Sequence, residues 1–256
     1  MNPIPTVLVT QEENILVITI DRPAVRNAID HRTSQALADA MDRLDNDPTV
    51  AVGILTGAGG HFCSGMDLKA FVNGERIELP GRGLGGMIET PPLKPIIAAV
   101  EGYALAGGFE IALACDLLVA SENAVFGLPE VKRGLIAGSG GLIRLPQKIP
   151  RQIAMQYALT GDLMTASDAR QWGLVNELTS AGQALAAAKV WAQKIAANGP
   201  VAVKMAKHVM SQSVYWSIDE LWTKQNQVLE TVIQSKDASE GAMAFNEKRS
   251  PVWAGR

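Results

Sequence analysis

A single carboxylate, Glu110, interrupts an almost wholly apolar and glycine-rich stretch of the chain. The stretch Ala99–Val119 reads AVEGYALAGGFEIALACDLLV, and its other acids, Glu101 and Asp116, lie near its ends. Burial penalises the charged form of a carboxylate, so Glu110 must be protonated, paired or turned towards water. For an isolated glutamate, a surface or paired structural position is the more common case. Other chemistry-bearing residues must therefore join Glu110 before it becomes a candidate acid or base.

A second carboxylate, Glu130, stands in a similar setting in VFGLPEVKRG, residues 125–134. Two glutamates in apolar surroundings are typical of proton transfer, because one can donate a proton while the other accepts one. The adjacent Lys132 and Arg133 are equally compatible with a surface position for Glu130. The residues alone leave both interpretations open.

Two glycine turns could supply backbone N–H donors for a developing negative charge. One is HFCSGMDLK at residues 61–69, and the other is Gly107-Gly108 at the predicted N-terminus of a short helix. Glycine lets the backbone approach a ligand closely, and a helix N-terminus carries unpaired N–H groups. Two such donors on one oxygen would form an oxyanion hole, although each turn taken singly is more simply structural.

Two further glycine motifs do not carry the chemistry that they suggest at first. Residues 81–86 read GRGLGG, but no strand precedes this GxGxxG, so a flexible loop is predicted instead of a dinucleotide site. Residues 138–141 read GSGG, which lacks the GxSxG pattern of a hydrolase nucleophile and has few histidines to partner it. We interpret this segment as a turn that enters the helix after it.

Composition limits the classes of protein that the chain can represent. It has 256 residues, 47% of them hydrophobic, and a net charge of −3, which does not indicate a nucleic-acid partner. Two cysteines and three histidines predict neither a disulfide framework nor a metal site. The N-terminus lacks a signal-peptide pattern, and glycine and glutamate interrupt the longest apolar stretch, so we expect a cytoplasmic protein without membrane association.

Short β-like runs alternate with helical runs in the first two thirds of the chain. Strands are predicted at about 15–20, 50–55, 95–100 and 117–120, and helices at about 30–45 and 107–114. From about residue 151 the pattern becomes helical, with a capping box at 165–168 and helices at 183–196, 201–212, 218–233 and 238–248. The pattern predicts an α/β body with a helical tail, whose apolar surface must pack on that body or on a neighbouring subunit.

Three segments together, HFCSGMDLK, EGYALAGGFEIALACD and VFGLPEVKRG, resemble the crotonase superfamily in order and spacing. The likeness is closest to enoyl-CoA hydratases and carnitinyl-CoA dehydratase. It extends from Ile15 to the C-terminus and includes DRPAVRNAI at 21–29 and EGAMAFNEKRSPVWAGR at 240–256. It implies an α/β fold in which residues 1–195 form a spiral of β-β-α repeats. Residues 196–256 would form a helical region that packs on the core and on neighbouring subunits, giving a homotrimer or a dimer of trimers.

The same resemblance implies an acyl-CoA thioester substrate and the reversible addition of water to a 2-enoyl-CoA, which gives a 3-hydroxyacyl-CoA. The N–H groups of Met66 and Gly107 would bind the thioester oxygen and stabilise an enolate, while Glu110 and Glu130 would hold and activate the water. No metal or redox cofactor is implied, since coenzyme A is part of the substrate. The residues implied to contact the acyl-CoA are Ala24, Arg26, Asn27, Ser64, Gly65, Asp67, Leu68, Lys69, Phe245 and Lys248.

The sequence departs from the family pattern in three places. Met66 stands where hydratases often have a small residue, Ala106 replaces the first of three glycines, and Lys132-Arg133 is more basic than the usual pair. These departures affect the expected substrate more than the expected reaction. An enoyl-CoA isomerase, a carnitinyl-CoA-type dehydratase and a non-catalytic acyl-CoA-binding protein are the alternatives to a hydratase.

Overall fold

The computed structural model describes residues 4–256, in which a six-stranded sheet and a three-stranded sheet are surrounded by helices. The strands are β1 (Val7–Glu12), β2 (Ile15–Ile20), β3 (Val52–Gly57), β4 (Ile96–Val100), β5 (Tyr103–Leu105), β6 (Leu117–Ser121), β7 (Val125–Gly127), β8 (Met164–Thr165) and β9 (Glu177–Thr179). The helices are α1 (His31–Asn46), α2 (Leu68–Val72), α3 (Gly107–Ala114), α4 (Gly141–Lys148), α5 (Arg151–Thr160), α6 (Ala166–Gln171), α7 (Ala184–Ala196), α8 (Pro200–Gln212), α9 (Leu221–Ile233) and α10 (Lys236–Glu247).

The two sheets contain successive strands of the same repeating unit. In the large sheet the order is β1-β2-β3-β4-β6-β9, antiparallel between β1 and β2 and parallel elsewhere. The small sheet has the order β5-β7-β8, so β4 and β6 are neighbours in one sheet while β5 and β7 are neighbours in the other. A strand in each sheet followed by a helix is the β-β-α spiral that the resemblance implied.

Helices cover both faces of the large sheet, which explains why its central strands are uninterrupted apolar runs. On one side, α1 contributes Leu37, Met41 and Leu44, all of which are fully buried in the main core. On the other side, α7 contributes Ala184, Ala188 and Ala192, spaced one turn apart against the sheet. Alanine at this spacing lets a helix lie close to a sheet because no long side chain intervenes.

The last three helices pack mainly on one another. The structure describes every residue of α8 and α9, and none of them is buried. Lys207 in α8 ties them to the body, since its Nζ lies 2.7 Å from Asp116 Oδ2 and 2.9 Å from the carbonyl oxygen of Lys94. Within residues 4–256, no helix is long and apolar enough to cross a membrane.

Candidate active site

Two backbone N–H groups, those of Met66 and Gly107, come together where α3 begins. A Cβ added to Gly107 would lie 3.6 Å from the nitrogen of Met66, and a Cβ added to Gly65 would lie 3.1 Å from the nitrogen of Gly107. Within residues 4–256, neither N–H group donates a hydrogen bond. Both are therefore available to one acceptor atom, as an oxyanion hole requires.

Glycines permit the close approach of the two turns that carry these donors. A Cβ on Gly108 would overlap the carbonyl oxygen of Cys63, and Gly65 has φ +100° with the Cβ of Ala106 3.0 Å from where its own Cβ would lie. A β-bridge between Cys63 and Ala104 holds the two segments side by side. The oxyanion arrangement therefore depends on the absence of side chains at these two glycines.

Ala106, the residue before α3, adopts φ +50° and ψ −128°, which side-chain-bearing residues rarely do. We expect Ala106→Gly to leave the free energy of unfolding unchanged or to raise it by about 1 kcal/mol. The reason is that relief of about 1–3 kcal/mol of backbone strain outweighs the roughly 0.5–1 kcal/mol entropic cost of glycine. Denaturant titration measures the change. The control is Ala104→Gly in β5, where nothing offsets the cost, and a clear loss of stability in Ala106→Gly would contradict the expectation.

Glu110 lies in the first turn of α3 and is only 2% exposed. Its Oε1 accepts a hydrogen bond of 2.8 Å from the N–H of Gly141, the first residue of α4. Burial raises the pKa of Glu110 to about 7, the Gly141 N–H opposes this rise, and the charge of Glu130 adds to it. A carboxyl group with a pKa near neutrality can both take up and release a proton at physiological pH.

Glu130 lies in a 3-10 turn, Pro129–Arg133, and is half-buried. Its Oε2 is buried, and no hydrogen-bond partner for that atom exists in the described part of the chain. Burial raises the pKa of Glu130, while the charge of Arg133 opposes the rise. A buried carboxylate oxygen without a partner is costly in a structural role, and this cost is consistent with a site that binds a ligand.

An apolar cavity of about 360 Å³ adjoins Glu130. Its walls come from the Glu130 turn, α4 and α5, and they are lined by Leu128, Glu130, Val131, Ile136, Ala137, Leu142, Leu145, Pro146, Arg151, Ala154, Met155, Ala158 and Leu159. The other three predicted catalytic groups, Met66, Gly107 and Glu110, do not line it. Leu128 forms the link, because its Cδ1 and the Oε1 of Glu110 lie 3.1 and 3.0 Å from the same point, the Cβ position of Gly141.

The predicted acyl-CoA contacts divide into exposed and internally bonded side chains. Asn27 is fully buried, and its amide group bonds to the backbone of Arg22, Ala58 and His61. Asp67 caps α2 and forms an ion pair of 3.0 Å with Arg22. These two side chains hold neighbouring loops in place, and their roles as acyl-CoA contacts stay predictions.

The other predicted contact residues stay predictions. Ala24, Arg26, Leu68 and Lys69 are exposed, Ser64 is half-buried and Gly65 is buried. The guanidinium of Arg26 stacks 5.5 Å above the ring of Tyr103. Phe245 and Lys248 are exposed at the end of α10, a helix that packs on α8 and α9.

Two residues that hold Glu110 could not be predicted from the sequence. Gly141 supplies the hydrogen bond, and Arg144, one turn further along α4, places a positive charge near the carboxylate. The only signal was the glycine pair at 140–141 before a helix, which we interpreted as a turn. Nothing in the sequence pairs this turn with Glu110, which is some thirty positions earlier in the chain.

Comparisons with known proteins identify the family and the fold of the chain. The family described as "Enoyl-CoA hydratase/isomerase" matches residues 10–256. A carnitinyl-CoA dehydratase from Proteus mirabilis is 41% identical over 255 residues, which cover 96% of this chain and 97% of that protein. The crystal structure of an enoyl-CoA hydratase from Mycobacterium tuberculosis H37Rv has a TM-score of 0.97 and 56% identity, covering 98% of this chain and 100% of that one. An enoyl-CoA hydratase structure from Mycobacterium marinum gives a TM-score of 0.97 and 57% identity, with 98% and 100% covered.

Proposed function

Since this chain belongs to the enoyl-CoA hydratase/isomerase family, we propose that it adds water reversibly to 2-enoyl-CoA thioesters and so forms 3-hydroxyacyl-CoA. One observation carries the proposal. Glu110, with a pKa near neutrality, lies three residues after Gly107 on the same helix, beside a backbone N–H pair that is free to bind an oxyanion. Addition of water to a conjugated thioester needs both a proton acceptor and a site for negative charge on the thioester oxygen.

The two carboxyl groups divide the proton transfers in this proposal. Glu110 accepts a proton from the attacking water, and Glu130 delivers a proton to the α-carbon of the enolate. The N–H groups of Met66 and Gly107 stabilise the enolate oxygen. Addition of water changes no oxidation state overall, so the step balances without a redox cofactor, and the reverse sequence dehydrates a 3-hydroxyacyl-CoA.

The cavity beside Glu130 supports an apolar acyl group. Its walls are mainly aliphatic, and burying a hydrocarbon chain against such walls is favourable by about 25 cal/mol per Å² of apolar area. In this proposal the acyl chain occupies the cavity, with the reacting carbons between Glu130 and Glu110. The coenzyme A portion lies along the exposed residues Arg26 and Lys69, whose positive charges suit its phosphates.

The C-terminal helices support an oligomer. Met210, Ile218, Trp222 and Phe245 are each more than two thirds exposed in the single chain, which leaves these large apolar side chains in contact with water. We propose that this surface packs in a homotrimer or a dimer of trimers. Residues 196–256 would then serve assembly, and Phe245 and Lys248 would reach the coenzyme A bound by a neighbouring subunit.

A turnover screen tests the proposed function. The protein is incubated with crotonyl-CoA, longer 2-enoyl-CoAs, crotonobetainyl-CoA and a 3-enoyl-CoA. The ultraviolet absorbance of the conjugated thioester is followed, because hydration removes it and isomerisation of the 3-enoyl-CoA creates it. Hydration of a 2-enoyl-CoA supports the proposal, and preference for crotonobetainyl-CoA would assign the carnitinyl type of dehydration instead. Conversion of 3-enoyl-CoA without hydration would indicate an isomerase, and binding without turnover across the whole panel would indicate a binding protein.

The pH dependence of hydration should follow the ionisation of Glu110. Because Glu110 must be ionised to accept a proton, and its pKa is about 7, kcat/KM should rise about tenfold per pH unit below pH 7, and it should fall again at the pH where Glu130, the proton donor, ionises. Initial rates measured across this range check the expectation. In Glu110→Gln the residual kcat/KM should lack this rise with pH. The variant therefore distinguishes ionisation of Glu110 from ionisation of the coenzyme A phosphates. A flat wild-type profile through pH 7 would exclude Glu110 as the base.

A further inference from the structure

Arg144 connects the start of α4 to the glycine-rich segment 81–89. Its Nη2 donates a hydrogen bond of 2.5 Å to the carbonyl oxygen of Ile88. On the other side of the guanidinium, a Cβ on Gly140 would overlap Nη1, so this group lies directly against the residue that precedes α4. The guanidinium therefore fills the space between the segment and the N-terminus of the helix.

The surroundings of Arg144 are well packed, which makes this connection rigid. Ile88 is 3% exposed, and its Cγ2 lies 3.7 Å from the Cβ position of Gly140. Gly140 itself has φ +90°, a conformation that favours glycine, and its carbonyl oxygen accepts the backbone N–H of Arg144 at 2.9 Å. A planar group with donors at fixed angles can satisfy one partner while packing on another, which a flexible lysine cannot do.

The same helix N-terminus holds the carboxylate of Glu110. Gly141, the residue after Gly140, donates the 2.8 Å hydrogen bond to Glu110 Oε1. The carboxylate and the guanidinium thus contact consecutive residues of one turn. The positive charge of Arg144 lowers the pKa of Glu110 and so opposes the effects of burial and of the Glu130 charge.

The other charged or titratable groups that face this pair are Glu130, Tyr215, Cys115 and Lys148. Glu130 acts on Glu110, while Tyr215 and Cys115 act on Arg144 together with Glu110. Lys148, one turn beyond Arg144 on α4, also feels the charge of Arg144. Arg144 is the one cation of this set that acts directly on Glu110.

We propose that Arg144 is a positioning residue for the hydration reaction: it fixes the N-terminus of α4 against residues 81–89 and thereby holds the Glu110 carboxylate towards the substrate in its ionisable state. This inference rests on the proposed function. It assigns Arg144 no contact with substrate. Its role is to keep the Gly141 N–H, and the positive charge behind it, in place around the base.

Three substitutions separate the charge of Arg144 from its hydrogen bond: Arg144→Met, Arg144→Gln and Arg144→Lys. Loss of the charge in the Met and Gln variants should move the rising limb of kcat/KM to higher pH, since a nearby opposite charge lowers a carboxyl pKa. Loss of position should lower kcat by about ten- to a hundredfold with little change in KM. Arg144→Lys should restore the limb but only part of kcat, because lysine keeps the charge without the planar fork.

Arg170 provides the matched control. Its Nη1 donates a 3.0 Å hydrogen bond to the carbonyl oxygen of Val175, a similar arginine-to-backbone contact at the end of α6. Arg170→Met should keep the wild-type kcat and the wild-type rise of kcat/KM with pH. If Arg144→Met is insoluble, Arg144→Gln gives the same comparison.

Several outcomes would overturn the inference. One such outcome is a wild-type kcat and an unshifted rise of kcat/KM with pH in both Arg144→Met and Arg144→Gln. Another is an equal loss of kcat in all three Arg144 variants, or the same loss of kcat in Arg170→Met. If the wild type hydrates no enoyl-CoA, the proposed function fails, but the pH dependence of unfolding still tests Arg144. Stability should fall between about pH 4.5 and pH 7 as Glu110 ionises, and this fall should extend to higher pH in Arg144→Met. An unshifted fall would overturn the inference without any activity measurement.

Discussion

Replacing either glutamate with glutamine should lower the kcat for enoyl-CoA hydration by about a hundred- to ten-thousandfold, the range expected for a positioned acid or base. This corresponds to roughly 2.7–5.4 kcal/mol in the barrier for each residue. Glutamine keeps the size of the side chain and an oxygen that can accept the Gly141 N–H, so at position 110 the change removes the ionisable group with little else. Steady-state rates on crotonyl-CoA measure the loss.

Glu101 is the control for these two variants. It belongs to the same apolar stretch as Glu110, but its oxygens accept the N–H groups of Gly182 and Ala184 at the start of α7. Glu101→Gln should leave kcat unchanged, because this carboxylate caps a helix. Near-wild-type rates in both Glu110→Gln and Glu130→Gln would refute the mechanism.

Glu110→Gln should also stabilise the protein at alkaline pH while inactivating it. The pKa of Glu110 is about 7 in the folded chain and 4.5 in the unfolded chain, so the folded state binds the proton more tightly. The free energy of unfolding therefore falls as pH rises from 4.5 to 7. The full cost, on the order of 3 kcal/mol, is present above pH 7 and absent below pH 4.5. The gain in the variant should be about 1–3 kcal/mol at pH 8, since the new amide N–H₂ is left without a partner, and it should vanish near pH 4.

Removing the backbone donor at position 107 is the second change with a large expected effect. Proline at the first position of a helix is compatible with helical geometry and lacks the N–H group. A Cβ at Gly107 would overlap Cδ2 of Leu84, so the comparison is made in a Leu84→Ala background that provides space. In that background Gly107→Pro should have a kcat about a hundred- to a thousandfold below that of Gly107→Ala, the loss expected for one oxyanion-hole donor.

The two Gly107 variants share the added Cβ and differ in the N–H group and in the proline Cδ that takes the place of its hydrogen. Thermal unfolding and circular dichroism establish that each double variant is folded before its rates are compared. Equal kcat values in the folded alanine and proline variants would mean that the Gly107 N–H does not bind the oxyanion. A change confined to KM would assign it to substrate binding alone.

The sequence predicted those elements whose apolar pattern is strong. The strand at 15–20 is confirmed with the same bounds, and the helix at 107–114 likewise. The strand expected at 50–55 lies at Val52–Gly57, because its end is set by pairing with β2 and not by the composition of the turn after it. The edge strand β1 was not predicted, since its solvent-facing residues Thr10 and Gln11 obscure its alternation.

Only those site residues whose type itself indicates a chemical role could be predicted from the sequence. Glu110, Glu130 and the glycine turns could be named from the sequence, whereas their partners could not. The hydrogen bond from Gly141 and the charge of Arg144 come from a different helix, and such contacts depend on tertiary packing. For the same reason the sequence could not show that the side chains of Asn27 and Asp67 bond to neighbouring loops.

Helix α3 is only eight residues long, yet it begins at Gly107 and contains Glu110. The separation between the Gly107 N–H and the Glu110 carboxyl group, the proposed charge stabiliser and proton acceptor, is therefore set by helical rise, about 1.5 Å per residue, and by covalent bonds. The spacing of the reactive groups is thus insulated from drift in the loops and cavity walls around it. In the proposed hydratase, substitutions along residues 128–159 would accordingly change the acyl preference and leave the reaction itself unchanged.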